Sequence, residues 1–175
     1  MLNLVYNFGR ERAFMFRFVI VIFSMLILVG CQSPSDDEPL QGTVVNIVDG
    51  DTFDVNIQGM GDERVRPIMV DAPEICHQHD PPECEPESYG DEATEFATDV
   101  LLGETVYLEQ DVSERDQYDR LLFYVYVDED RMFQEMLLEE GLAEVVVYEP
   151  DVRYEEEFYE IQDEAREQEK GIWGG

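Results

Sequence analysis

Residues 42–70, GTVVNIVDGDTFDVNIQGMGDERVRPIMV, are the stretch that decides the fold. They contain three runs rich in branched apolar residues alternating with polar ones, which predict strands at 42–48, 52–57 and 64–70. The dipeptide Asp49-Gly50 predicts a tight turn between the first two strands. Pro67 cannot donate a ladder hydrogen bond, so it predicts an edge or a bulge in the third strand.

The chain after residue 70 predicts three helices and two further strands. In order these are a helix at 89–102, strands at 104–110 and 121–127, and helices at 132–140 and 154–168. Three strands, a helix, two strands and two helices form an α+β order, which does not alternate as a parallel βαβ fold would. We therefore predict a small five-stranded β-barrel with three helices, spanning 42–175.

The first thirty residues predict a signal peptide rather than part of this fold. Arginines precede an apolar run at 18–30, which is too short for a comfortable membrane span. The run ends in Leu28-Val29-Gly30-Cys31, which resembles a lipobox. We predict a signal peptide at 1–30, a flexible tether at 31–41 and lipid anchoring through Cys31 at the extracellular face of the cell membrane. A plain transmembrane anchor is the alternative.

The charge of the chain restricts its partners and its surroundings. There are 42 acidic and 11 basic residues, a formal net charge of −31, yet 44% of the residues are hydrophobic. Such a chain is not a disordered acidic tail. Concentrated salt would screen its self-repulsion, since the Debye length is about 3 Å at 1 M, so we predict a halophilic protein. An ordinary acidic protein is the alternative.

The three cysteines leave one residue over if two of them pair. Lipidation of Cys31 would use the odd one, and Cys76 and Cys84 then remain in one loop at an oxidising location. We predict a disulfide between them, worth about 2–3 kcal/mol in the chain-entropy model. Because His77 and His79 lie between the two cysteines, a zinc site is the alternative.

Three motifs carry the chemistry: VDGDT at 48–52, RPIMVDAPE at 66–74 and DQYDR at 116–120. In this order they resemble the staphylococcal nuclease family, whose hallmarks are an Asp-Gly-Asp-Thr turn, an arginine five residues before Asp-Thr-Pro-Glu, and Asp-x-Tyr-Gly-Arg. Weaker matches extend the resemblance over 42–173. It implies an OB-fold barrel and an endonuclease that hydrolyses DNA and possibly RNA, leaving 3′-phosphate ends.

The same resemblance assigns a calcium cofactor and its ligands. Asp51, Asp71 and the backbone carbonyl of Ala72 are implied as ligands of Ca²⁺, and oxygen ligands are those that calcium prefers. Glu74 is implied as the general base that acts on the attacking water. Asp49 is implied as a carboxylate behind the ligands.

The resemblance also implies which residues contact the nucleic acid. Arg66 and Arg120 are the implied catalytic arginines, whose forked guanidinium groups suit phosphate oxygens. Tyr118 and Tyr148 are implied to line the nucleotide pocket, although either could belong to the core. A bound cation with Arg64, Arg66 and Arg120 would make a locally positive pocket on a chain that lacks a general basic patch.

Several alternative interpretations compete with these assignments. Asp51 could be an ordinary turn aspartate, and the two arginines could form structural ion pairs with surplus acids. Ala72, Gln117 and Asp119 depart from the family's threonine, lysine and glycine. Asp119 tolerates a left-handed backbone, but its charge could pair with Arg120.

The competing function is a catalytically silent OB-fold lipoprotein that binds nucleic acid or protein. The retention of Arg66, Glu74 and Arg120 favours the enzyme. In either case we expect a monomer.

Overall fold

The computed structural model describes residues 39–174. The predictions for the signal peptide, for Cys31 and for most of the tether lie outside the described residues. Within them, no helix combines the length and the apolar character that crossing a membrane requires.

Five strands close into a barrel, as predicted. They are β1 (Leu40–Asp49), β2 (Thr52–Ile57), β3 (Gly61–Pro67), β5 (Thr105–Glu109) and β6 (Leu121–Tyr126). Their order around the barrel is β1-β2-β3-β6-β5, and β1 closes it by pairing with β5. With the three helices described below, this confirms the predicted α+β class and the five-stranded OB-fold barrel.

The pairing of β3 with β6 is parallel, whereas the other pairs in the barrel are antiparallel. Val65 stands opposite Leu121, and Arg66 stands opposite Leu122. Val65 and Leu121 point into the core, so by alternation Arg66 faces outward from β3, and Arg120 directly precedes the inward-facing Leu121 at the start of β6. Two arginines that are distant in the chain are thereby brought to one surface.

The third strand differs from its predicted bounds. It begins at Gly61 and ends at Pro67, and a turn that includes Met69 at φ 68° separates it from β4 (Val70–Asp71). Pro67 is the last residue of the strand, consistent with its missing N–H donor. The short β4 pairs with β7 (Glu144–Val145) in a separate two-stranded sheet, which the sequence did not predict.

The three helices lie within two residues of their predicted bounds. They are α1 (Gly90–Leu101), α2 (Phe133–Glu139) and α3 (Glu155–Glu167), and a single 3₁₀ turn (Gly171–Trp173) follows. Ala93, Ala97 and Leu101 form the buried stripe of α1, which packs against β1. Tyr89, the first residue of the predicted helix, instead precedes it with φ 70° and is partly exposed.

A buried glutamine connects α2 to the barrel. Gln134 accepts a hydrogen bond from Val125 N–H at 3.1 Å and donates one to the carbonyl of Phe123 at 3.0 Å. Around it the core is apolar and includes Phe53, Phe133 and Leu137, all fully buried. Each such side chain contributes about 1.5–3 kcal/mol through burial, so the barrel is a firm support for the surface beside β3 and β6.

Candidate active site

The Asp49-Gly50-Asp51 turn places two carboxylates under the protein surface. Asp49 is 9% exposed and Asp51 6%. The backbone N–H of Asp51 donates to Asp49 Oδ1 at 3.1 Å, which fixes the Asp49 side chain against the backbone of the turn. A Cβ on Gly50 would lie 2.7 Å from the Cβ of Ala93 and 2.9 Å from that of Ala72, so only glycine lets the turn sit this closely on α1.

Arg66 connects the two carboxylates that the sequence predicts as metal ligands. Its Nη2 lies 3.2 Å from Asp51 Oδ2 and 2.7 Å from Asp71 Oδ1. Its Nη1 donates to the carbonyls of Pro67 and Val70 at 2.9 and 2.7 Å. The two carboxylates are thus close enough for one nitrogen atom to contact both.

The positive charge and hydrogen bonds around Asp51 do not compensate for the burial of its carboxylate. Burial raises its pKa to about 7, against the lowering effects of Arg66 and of the Ala72 N–H, which donates to Asp51 Oδ2 at 2.6 Å. The carboxylates of Asp49 and Asp71 add to the rise. A cation near Asp51 would stabilise its charged form. The oxygen donors of Asp51 and Asp71 therefore fit a hard divalent cation.

Glu74 follows β4 and is fixed through its backbone. Its N–H donates to Glu87 Oε2 at 3.1 Å, and its carbonyl accepts from Glu87 N–H at 2.9 Å. A Cβ on Gly90 would lie 2.6 Å from the Glu74 carbonyl oxygen, so the first residue of α1 presses on this peptide. The carboxyl group itself is exposed, and its pKa is raised by partial burial and by Asp49 and Asp71.

Arg120 is held by a tight turn. Asp116 Oδ1 accepts the backbone N–H groups of Tyr118 and Arg120, and Asp116 Oδ2 accepts Nε of Arg120 at 2.6 Å. Although partial burial opposes it, the hydrogen bonds from Arg120 and Tyr118 lower the pKa of Asp116. Asp119 has φ 68°, as expected for a position that is glycine in the family. Its carboxylate lies 3.7 Å from Arg115 rather than on Arg120, contrary to the expectation that it could pair with Arg120.

One cleft of about 560 Å³ collects most of the predicted site. Its lining includes Arg66, Asp71, Glu74, Tyr118, Arg120 and Tyr148. The remaining predicted residues, Asp49, Asp51 and Ala72, do not line the cleft: Asp51 contacts Arg66, and Asp49 and Ala72 contact Asp51. Tyr118 and Tyr148 are 71% and 74% exposed, which excludes a core role for either ring. The Arg120 guanidinium carbon lies 5.4 Å from the centre of the Tyr118 ring.

The positive charge of the cleft differs from the prediction in one residue. Arg64 pairs with Asp54 at 2.9 Å on β2 and does not line the cleft. Arg115 lines it instead, donating to Glu63 at 2.8 Å and to the Asp119 carbonyl at 2.7 Å. Its position directly before Asp116 was the available sequence signal, since that places it in the same turn as Arg120.

The cysteine loop brings a further residue to the site. Cys76 and Cys84 are bonded to each other, with sulfur atoms 2.08 Å apart, so neither thiolate is free for a metal. His77, next to Cys76, has its Nε2 3.8 Å from Asp49 Oδ2. Asp49, Glu74 and His77 form a group whose potential ligand atoms all lie within 4.8 Å of one another. The sequence indicated His77 only as part of a cysteine-based alternative.

The staphylococcal nuclease homologue family matches residues 64–175, well over half of the chain. The chain belongs to this family. A thermonuclease of Staphylococcus hyicus is 31% identical over 166 residues, which cover 89% of this chain and 95% of the relative. A thermonuclease of Staphylococcus intermedius is 37% identical over 130 residues, covering 74% of each chain.

A third relative is longer than this chain. The SPbeta prophage-derived endonuclease YokF of Bacillus subtilis is 39% identical over 133 residues, which cover 75% of this chain and 43% of the relative. The family is metal-dependent, and the family and its relatives support the predicted class of enzyme, a phosphodiester hydrolase.

Proposed function

We propose that the chain is a calcium-dependent endonuclease that cleaves DNA and RNA and leaves 3′-phosphate ends. The observation that carries the proposal is the single cleft that Arg66, Glu74 and Arg120 line together with Asp71, whose carboxylate shares Arg66 Nη2 with that of Asp51. A silent binding module has no need for a base in a cleft with two arginines, and this favours the enzyme over the binding protein.

Each residue of the cleft has a role in this proposal. Calcium, held by Asp51, Asp71 and the Ala72 carbonyl, would supply positive charge to the scissile phosphate. Glu74 takes the proton of the attacking water as the general base. Arg66 and Arg120 donate to phosphate oxygens whose charge grows in the transition state.

The environment of Arg120 supports the last role. Asp116 accepts a hydrogen bond from Nε of Arg120. The Nη groups of Arg120 donate no hydrogen bond to any of residues 39–174. The outer edge of the guanidinium fork is therefore left for a planar pair of phosphate oxygens. The exposed rings of Tyr118 and Tyr148 line the same cleft, the Tyr118 ring beside the Arg120 guanidinium, and both suit stacking against bases.

A nuclease assay tests the proposal directly. The purified chain is given double-stranded DNA, single-stranded DNA and RNA in molar salt, with calcium, with magnesium, or with a chelator. We expect cleavage with calcium, none with chelator, and 3′-phosphate ends by end-group labelling. Cleavage that survives the chelator would contradict the metal dependence, and intact substrates in every condition would contradict the enzyme.

The net charge of −31 leads us to propose adaptation to concentrated salt. The substrate is a polyanion, so both folding and substrate binding should gain from screening. We expect the thermal midpoint and the cleavage rate to rise together between about 0.1 and 2 M salt. A midpoint that is independent of salt would support an ordinary acidic protein instead.

We also propose that the protein is a monomer anchored by a lipid on Cys31 at the extracellular face of the membrane. Cys31→Ser should release it from membranes or block its maturation, whereas unchanged attachment would point to the N-terminal apolar segment as the anchor. Light scattering of the solubilised protein measures its oligomeric state, and a dimer mass would overturn the monomer.

The Cys76–Cys84 disulfide is open to a mass measurement. The intact non-reduced protein should weigh two hydrogens less than the reduced one, and the bond should add about 2–3 kcal/mol to the free energy of unfolding. Two free thiols in the purified protein would reject the bond.

A further inference from the structure

A histidine lies beside the acidic site, and no role proposed above uses it. His77 is exposed, and its Nε2 lies 3.8 Å from Asp49 Oδ2, which is too long for a hydrogen bond. Asp49 Oδ1 accepts the Asp51 N–H, but Oδ2 accepts no hydrogen bond from the described part of the chain. An imidazole nitrogen and a carboxylate oxygen thus lie close together without a hydrogen bond between them.

The distance between these two atoms is close to the distance between two ligands of one metal ion. Ligands at about 2.0–2.1 Å from a tetrahedral zinc lie about 3.3 Å apart. The ligand atoms of Asp49, Glu74 and His77 are all within 4.8 Å of one another, and two of the three side chains are exposed and free to close the difference. Asp49 is buried and supplies the fixed point.

The donor set separates this group from the calcium ligands. Calcium prefers oxygen atoms, whereas one imidazole nitrogen with two carboxylates suits zinc and similar transition metals. His77 is the only histidine of this group, and the backbone around it is pinned by the Cys76–Cys84 bond and by its N–H, which donates to Asp80 Oδ2 at 2.6 Å. With both cysteines in that bond, a zinc site here uses the histidine and the carboxylates, not the sulfurs.

We propose that Asp49, Glu74 and His77 bind a zinc ion, and that the bound zinc inhibits the nuclease by taking the Glu74 carboxylate away from the attacking water. The inhibition rests on the proposed role of Glu74, while the binding does not. Coordination to zinc lowers the basicity of the Glu74 carboxylate, so Glu74 bound to zinc is a poor base for the attacking water. Zinc would therefore inhibit even when calcium is saturating.

Binding is tested on the full chain without a histidine tag and with its disulfide intact. Metal-free protein competes with a chromophoric chelator for Zn²⁺, in the parent, His77→Gln and His79→Gln. His79 lies in the same loop and outside the group, so it is the matched control. We expect one zinc per parent chain, an affinity at least about tenfold weaker in His77→Gln, and parent affinity in His79→Gln. Equal affinity in parent and His77→Gln, or equal weakening in both variants, overturns the site.

Two further measurements separate the site from the function. Cobalt bound to the parent should lack a thiolate-to-metal charge-transfer band, and such a band would overturn the donor set in favour of the cysteines. In calcium, zinc should inhibit the parent and His79→Gln alike, and His77→Gln should need at least about tenfold more zinc. Zinc that binds through His77 without inhibiting would overturn the inhibition alone. A chain that binds zinc but never cleaves would instead overturn the proposed function and leave the site in place.

Discussion

The cleft has a strand-built wall, formed by β3 and β4 with the residues that follow up to Glu74, and a turn-built wall, formed by residues 115–120. The two walls hold their arginines in different ways. On the strand-built wall, the Arg66 side chain is 14% exposed and contacts two carboxylates and two carbonyls between β3 and β4. On the turn-built wall, the Arg120 side chain is 27% exposed and has one acidic partner, Asp116. Arg66 should therefore matter for both catalysis and the stability of the fold, whereas Arg120 should matter mainly for catalysis. The difference shows where activity can be changed without unfolding the protein.

The largest expected effect is on the strand-built wall, at Glu74. Replacing Glu74 with Gln keeps the size and removes the base, so cleavage should fall by about 10²–10⁴-fold. The thermal midpoint should stay close to that of the parent, because the carboxyl group is exposed. The measurement is cleavage rate and midpoint on the same samples, with Glu83→Gln from the same loop as control. Parent-like cleavage by Glu74→Gln would remove Glu74 from the mechanism.

The same substitution at both arginines tests the comparison itself. In Arg66→Lys and in Arg120→Lys a point charge replaces the fork, and each should lower cleavage by about 10²–10³-fold. Only Arg66→Lys should also lower the free energy of unfolding, by about 1–3 kcal/mol, because buried acceptors lose their donors. Arg120→Lys should lose less than about 1 kcal/mol. Denaturant titrations measure both, and an equal loss of stability would break the distinction between the two walls.

A smaller effect is expected where the turn positions its arginine. Asp116→Asn keeps an acceptor for the backbone N–H groups but removes the charge that holds Nε of Arg120. We expect about a tenfold loss of cleavage, with kcat affected more than KM, since the guanidinium is misplaced rather than lost. Asp119→Asn is the control, because that carboxylate lies beside Arg115. Equal effects in the two variants would mean that general charge, not position, sets the rate.

The smallest expected effect is on stability and concerns Asp151, which lines the cleft. Asp151 Oδ1 accepts the N–H groups of Val112 and Ser113 at 2.9 and 2.8 Å, and these bonds lower the pKa of Asp151 although burial opposes them. A lowered folded pKa adds stability above the usual value of about 3.9 and loses it as pH falls through the folded value. Asp151→Asn should therefore be less stable than the parent by about 1 kcal/mol at pH 7, and the gap should close as pH falls through the lowered folded pKa. A gap that persists at low pH would point to packing instead of charge.

The barrel was predictable because its signals are local. Alternation gave β2 its bounds, and the apolar stripe of α1 was visible in the sequence. The β4–β7 pair was not predictable, since two residues carry no period and their partner lies far along the chain. The third strand was predicted to run on to residue 70, with Pro67 as an edge or bulge, whereas it ends at Pro67; its earlier start at Gly61 depends on pairing with Ile57.

The candidate site divides in the same way. Motif order led to Arg66, Glu74 and Arg120, which the cleft brings together. The exchange of Arg64 for Arg115 was not predicted, because Arg64 shares the outer face of β3 with Arg66, and only the folded structure shows that Arg64 pairs with Asp54 away from the cleft while Arg115 pairs with Glu63 and lines it. The approach of His77 to Asp49 likewise depends on how the disulfide loop folds over the β1–β2 turn.

The parallel pairing of β3 with β6 separates distance along the chain from distance in the cleft. Arg66 lies on the β3–β6 ladder opposite Leu122, and Arg120 directly precedes β6, so a part of the intervening segment that contacts neither arginine can change in length without moving either guanidinium. Selection can therefore rebuild that intervening segment while the reaction geometry stays constant. The disulfide-closed stretch at 76–84 lies within it, and it is where we expect members of the family to differ most freely in length.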